Sequence, residues 1–144
     1  MKTILLIHGA NLNMLGKRDA KHYGSLTLKE LEKQVTAAAK KHGLTVKAFQ
    51  SNYEGGIIDF LQMNAPKAAG ILINPGAYTH YSYAIHDALL DTKLPAIEIH
   101  LSKVTEREDW RSKSVTAPAC LAVYAGKKVE SYVEAVGKLA EVIK

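Results

Sequence analysis

Three polar clusters interrupt apolar stretches of the chain, and each carries side chains able to move protons or hold an anion. Asn11, Asn13 and Arg18 follow Ile4-Leu5-Leu6-Ile7; Asn74-Pro75-Gly76-Ala77-Tyr78-Thr79-His80 follows Ile71-Leu72-Ile73; and Glu98-Ile99-His100-Leu101-Ser102 straddles the end of a run introduced by Pro95. Glu98 has the fewest ordinary explanations. It sits inside an apolar segment, where an unpaired carboxylate costs several kcal/mol, so a buried partner is expected. The other clusters also admit plain readings. Asn11 and Asn13 suit a turn, because asparagine hydrogen-bonds its own backbone and tolerates left-handed conformations. Asn74-Pro75-Gly76 suits a turn with Thr79 or Ser82 as the cap of a following helix. His100 could be a satisfied core histidine, and Arg107 and Arg111 a surface pair with Glu106 or Asp109.

Several chemistries lack their anchor. His80 and His86 stand six apart, and neither a His-Glu-x-x-His nor a Cys-x-x-Cys spacing occurs, so no metal site is expected. Gly9 and Gly16 do not match dinucleotide or phosphate-loop spacing, and no Gly-x-Ser-x-Gly elbow is present. No cofactor is expected. The lone Cys120, flanked by Ala119 and Leu121, reads as a small buried hydrophobe. A net charge of +5 would suit nucleic acid, an acidic surface or a small anionic substrate. Lys33, Lys40, Lys41 and Lys47 are scattered without interleaved aromatics, however, so nucleic acid is disfavoured. The opening apolar run ends at His8, too short for a membrane span or signal core, and a cytoplasmic location is expected.

The elements that must position these clusters follow from periodicity. Residues 3–8 read as a buried strand. Thr27, with Glu30 three residues on, caps an amphipathic helix through Leu31, Val35 and Ala38 toward Gly43. Leu44 to Phe49 is a second strand, Ile57 to Met63 a short helix after Gly55-Gly56, and Gly70 to Ile73 a third strand without polar alternation. A helix from about Tyr81 to Leu90 precedes a fourth strand, Ala96 to Ile99. Lys103 to Thr116 is loop-like, Cys120 to Tyr124 a fifth strand, and Val129 to Ile143 a closing helix. At 144 residues, with 47% hydrophobic and 23% charged composition, one globular domain over 1–144 accommodates this order.

Alternation of strands and helices implies a parallel sheet between two helical layers: a flavodoxin-like α/β three-layer sandwich in the order 2-1-3-4-5. Ligands in such sheets bind beyond the carboxyl ends of the strands, at the switch point between the first and third. The three polar clusters follow strands one, three and four, which this order makes adjacent. The exit of the second strand, Gln50-Ser51-Asn52-Tyr53-Glu54, is also polar, but its outer position makes it the weaker candidate.

Asn11-Leu12-Asn13-Met14-Leu15-Gly16-Lys17-Arg18 followed by Tyr23-Gly24, the segment Asn74 to His80 with Ser82, Ala84 and Asp87, and Glu98 to Ser102 with Arg107 and Arg111 together resemble the three motifs of the type II 3-dehydroquinate dehydratases. The resemblance runs in order from residue 3 to about Pro118. It implies dehydration of 3-dehydroquinate to 3-dehydroshikimate by anti elimination through an enolate, in aromatic biosynthesis or quinate breakdown. Tyr23 would take a proton from the carbon beside the ketone, and Arg18 would hold that tyrosine as phenolate. His100 would protonate the departing hydroxyl, oriented by Glu98, and Asn11 would hold a water that polarises the ketone. Asn74, Gly76, Ala77, His80, Leu101, Ser102 and Arg111 would bind the ring hydroxyls and carboxylate, with Arg107 in a supporting or lid role. A dodecamer built from trimers is also implied, with Asp87 reaching a neighbouring subunit's site.

Elementary chemistry agrees with that division. A carbon acid beside a ketone is weak, so the reaction needs a base, a means of spreading enolate charge and an acid for the leaving oxygen. Only about 0.1% of an unperturbed tyrosine is phenolate at pH 7, so Tyr23 requires a permanent neighbouring cation such as arginine. A loop between Gly16 and Gly24 carrying that arginine could close over substrate, and it is expected to be the least ordered stretch without ligand. Lys128 and Ser131 depart from the family pattern, standing where glycines are usual, and Gln62 stands where a histidine is common. The position of Lys128 asks for close backbone approach, which puts the docking of the last helix in question. Two other classes compete: a flavodoxin-like module that binds a small anion without turning it over, and an aldolase-like enzyme using a lysine imine, for which Lys17 is the one lysine inside the three clusters.

Overall fold

The computed structural model describes residues 1–17, 25–103 and 107–143. Five parallel strands, β1 (Lys2–His8), β2 (Leu44–Gln50), β3 (Gly70–Asn74), β4 (Ala96–His100) and β5 (Ala122–Ala125), form one sheet in the order β2-β1-β3-β4-β5. Helices α1 (Leu28–Lys40) and α4 (Val129–Val142) cover one face, and α2 (Glu54–Asn64) and α3 (Tyr83–Thr92) the other. The expected three-layer flavodoxin-like sandwich is therefore the observed one. Alternation of side chains along each strand divides the core in two. Ile4, Leu6, Leu72 and Ile97 pack on Leu31, Val35, Tyr132 and Leu139, whereas Leu5, Ile7, Ile71 and Ile73 pack on Ile57, Leu61, Ile85 and Leu89.

Local chemistry sets the helix starts. Thr27 and Glu30 form the expected capping box, with the Glu30 amide donating to Thr27 Oγ1 and Glu30 Oε1 accepting from the Thr27 amide, each at 3.2 Å. Ser82, one of the two caps considered, accepts the Ile85 amide at 3.0 Å, so α3 starts at Tyr83. Helix α2 begins earlier than the periodicity indicated, with Gly55 and Gly56 inside its first turn. Ser51 Oγ accepts the Tyr53 amide there, and a Cβ on Gly56 would lie 2.7 Å from that oxygen, so Gly56 admits the turn rather than breaking it. Strand β5 starts at Ala122, because Ala117–Ala119 is a 3-10 turn whose carbonyl at Ala117 accepts the Cys120 amide at 2.8 Å.

The two departures near the last helix are accommodated. Lys128 takes φ 55° and ψ −132°, a region that favours glycine, and its amide donates to Leu101 O at 3.0 Å. Ser131 is buried, and its hydroxyl accepts the Lys127 amide at 3.0 Å. Helix α4 docks through buried Tyr132, Ala135, Val136 and Leu139. Among the described residues no helix is long and apolar enough to cross a membrane.

Candidate active site

At the carboxyl ends of β1, β3 and β4 the chain opens a cleft at the expected switch point. Two glycines bring its walls together. A Cβ on Gly9 would fall 2.1 Å from Pro75 O, and one on Gly76, which has φ 67°, would fall 2.6 Å from Ala10 O. The exits of β1 and β3 thus touch backbone to backbone, which places Asn11 beside Gly76 and Ala77. The cleft is lined by Asn11, Asn74, Gly76, Ala77, His80, His100, Leu101, Ser102, Arg107 and Arg111, all of them expected, and by Ala10 and Leu12, which were not. Those two apolar residues carry no chemical signal of their own and enter only because the β1 exit turns across the opening.

The buried partner required for Glu98 is His100, whose Nε2 lies 2.8 Å from Glu98 Oε2. A carboxylate only accepts, so Nε2 carries the hydrogen and Nδ1 is left to gain or lose a proton. Glu98 is fully buried and draws three further donors: the hydroxyls of Thr79 at 2.7 Å and Ser114 at 2.9 Å onto Oε2, and that of Thr116 onto Oε1. Burial alone would push this carboxyl up. The hydrogen bond and charge of His100, with the Thr116 and Thr79 hydroxyls, outweigh it and hold the carboxyl below its ordinary value. Sequence reasoning missed this hydroxyl cage. Its members come from two separated places in the chain, Thr79 and the Ser114–Thr116 segment, and a lone serine or threonine carries no signal.

His80 is oriented as firmly. Its Nδ1 lies 2.7 Å from Lys113 O, and a carbonyl cannot donate, so Nδ1 carries the hydrogen and Nε2 is an acceptor. Burial, with the nearby charges of His100 and Arg111, lowers its pKa and keeps the ring neutral at pH 7. Trp110 packs edge-on against His80 with centroids 5.1 Å apart, and the Arg111 guanidinium lies 4.1 Å from the centroid of its ring. Arg111 also pairs with Glu108 rather than with Asp109. Asn74 donates from Nδ2 to Tyr132 Oη at 3.1 Å and accepts the Gly76 amide at 3.0 Å, fixing its amide between helix α4 and the cleft wall.

Two expected residues lie away from this cleft. Asp87 is exposed on α3, its carboxylate 2.9 Å from His86 Nδ1. Glu98 stands behind His100 rather than in the opening. Tyr23, Arg18 and the loop expected to close over substrate lie outside the described residues, apart from exposed Lys17. Among the described residues no group of three or more histidine, cysteine or acidic side chains could hold a metal ion.

Residues 2–140 match the family model described as dehydroquinase class II. A 3-dehydroquinate dehydratase of Caldicellulosiruptor bescii is 46% identical over 144 residues, covering 99% of each chain. One from Carboxydothermus hydrogenoformans is 48% identical over 129 residues, covering 90% of this chain and 84% of its own. The crystal structure of the type II dehydroquinase from Butyrivibrio crossotus superposes with a TM-score of 0.92 at 43% identity, covering 96% of this chain and 97% of that one. With agreement in sequence and fold running almost from end to end, the chain belongs to the class II dehydroquinase family.

Proposed function

We propose that this chain is a hydro-lyase that converts 3-dehydroquinate to 3-dehydroshikimate by anti elimination through an enolate. The observation that carries the reading is the buried Glu98–His100 pair opening into a cleft walled by Asn11, Asn74, His80 and Arg111. In this reading Tyr23, kept as phenolate by Arg18, removes the proton from the carbon beside the ketone. The electron pair moves onto the ketone oxygen, polarised by a water on Asn11. As the enolate collapses, the carbon–oxygen bond breaks and His100, protonated on Nδ1, delivers its proton to the departing hydroxyl, which leaves as water.

Glu98 holds the imidazole by its Nε2–H in the orientation that leaves Nδ1 for the proton transfer. Neutral His80 accepts a ring hydroxyl through Nε2, and Asn74, Leu101 and Ser102 with the backbone of Gly76 and Ala77 hold the others. Arg111 faces the carboxylate and Arg107 supports it. The whole chain, residues 1–144, acts as one catalytic domain in the cytoplasm, needing no cofactor. It assembles as a trimer-based dodecamer in which Asp87 completes a neighbour's site.

The test is an absorbance assay, in which incubation with 3-dehydroquinate should raise the ultraviolet absorbance of the conjugated enone product. No rise at micromolar enzyme would overturn the reading and leave a non-catalytic anion-binding module in its place.

A further inference from the structure

Asn11 holds φ 70° and ψ 0°, a left-handed backbone that few non-glycine residues adopt, and its own side chain does not cap the short turn it opens. What holds it comes from the exit of the outer strand β2. The Asn11 amide donates to Asn52 Oδ1 at 2.9 Å. Gln50 Nε2 donates to that same oxygen at 3.1 Å and to Gly9 O at 3.2 Å, so two donors converge on Oδ1 and settle which way the Asn52 amide points. The backbone of Asn52 makes a separate contact. Its carbonyl accepts the Tyr78 hydroxyl at 2.7 Å, and Tyr78 belongs to the Gly76–His80 turn that carries Ala77 and His80. The Ser51 amide donates to His8 O at 3.0 Å, which extends the β1–β2 ladder up to this point. One exposed residue just past the end of an outer strand therefore grips both walls of the cleft.

We infer that Asn52, oriented by Gln50, is a positioning residue: it fixes the left-handed backbone of Asn11 and so aims the Asn11 side chain into the cleft. The catalytic consequence rests on the proposed function, in which Asn11 holds the water that polarises the ketone. That interaction strengthens as charge reaches the oxygen, so misaiming it costs turnover more than binding.

The test joins a structural and a kinetic reading of Asn52→Ala. A crystal structure should show Asn11 out of its left-handed conformation, and retention of φ near 70° would overturn the inference whatever the activity. With wild-type protein first shown to form product, kcat should fall about 10-fold with KM within about twofold, and Asn52→Asp, which keeps the acceptor oxygen, should restore it. The Asn11→Ala/Asn52→Ala double variant should be no slower than Asn11→Ala alone, because the two act through one group. An unchanged kcat, or losses that multiply in the double variant, would overturn the inference. Asn52→Ser, whose hydroxyl is too short to reach, serves the same comparison if the alanine variant does not fold. Wild-type protein without dehydratase activity would count against the proposed function, while the Asn11 conformation in the variant still decides the role of Asn52.

Discussion

At the level of single side chains, the cleft depends on charges held in one state by their neighbours. Glu98 stays ionised because four donors meet its two oxygens, and its carboxylate in turn fixes Nε2–H of His100. Glu98→Gln keeps the shape and removes the charge, so kcat should drop at least ~10-fold as the His100 imidazole loses the charged acceptor that orients it. The same variant makes a stability test. A carboxyl held below the ordinary glutamate value of 4.5 in the folded state contributes stability that is present above that value and lost as pH falls below it. Urea denaturation from pH 7 to pH 3 should therefore show the advantage of wild type over Glu98→Gln shrinking below about pH 4.5. A gap that stays constant with pH would argue against an ionised Glu98. For the proposed acid and base, His100→Ala and Tyr23→Phe should each lower turnover at least ~100-fold, and retained activity in either would remove its assigned role.

At the level of elements, the strand exits do the positioning and the helices hold the exits in place. Helix α4 enters through Lys128 in a glycine-like conformation, a strain of about 1–3 kcal/mol for a residue with a side chain. Its amide bond to Leu101 O ties that strain to a residue lining the cleft. Lys128→Gly should raise the thermal midpoint by about 2–4 °C per kcal/mol of strain relieved, after the larger entropy of unfolded glycine is offset. Calorimetry measures this directly, and a lower midpoint would mean that the lysine side chain contributes more than its backbone costs. The opposite device stands at the start of α1, where Thr27 and Glu30 satisfy each other's amides. The sequence alone identified that cap, because both partners lie within one turn.

At the level of the whole molecule, Asp87 lies on α3, exposed and away from the cleft of its own chain. That placement suits the proposed shared site, in which each cleft draws Asp87 from a neighbour. Asp87→Ala and His100→Ala subunits, each inactive alone, should regain activity when refolded together, since some clefts then pair an intact His100 with an intact Asp87. No recovery in the mixture, or an active monomer in sedimentation, would refute the shared site.

Much of this architecture is legible in the chain because its causes are local. Apolar runs such as Ile71-Leu72-Ile73 have no polar alternation, so they must be strands covered on both faces, and capping residues mark where helices begin. Their alternation dictates a parallel sheet, and the sheet order makes the exits of β1, β3 and β4 neighbours, which is why Asn11, Asn74 and Glu98 group together on sequence grounds alone. Glu98 announced a buried partner through the cost of burying charge. Folding alone decided who the partners are: Thr79, Ser114 and Thr116 converge on one carboxylate from distant positions, and Asn52 reaches Asn11 across 41 residues of chain. Hydrogen bonds between residues far apart in sequence leave no periodicity to read, so only the tertiary structure could show that the outer strand, the weaker candidate by position, holds the cleft's first wall.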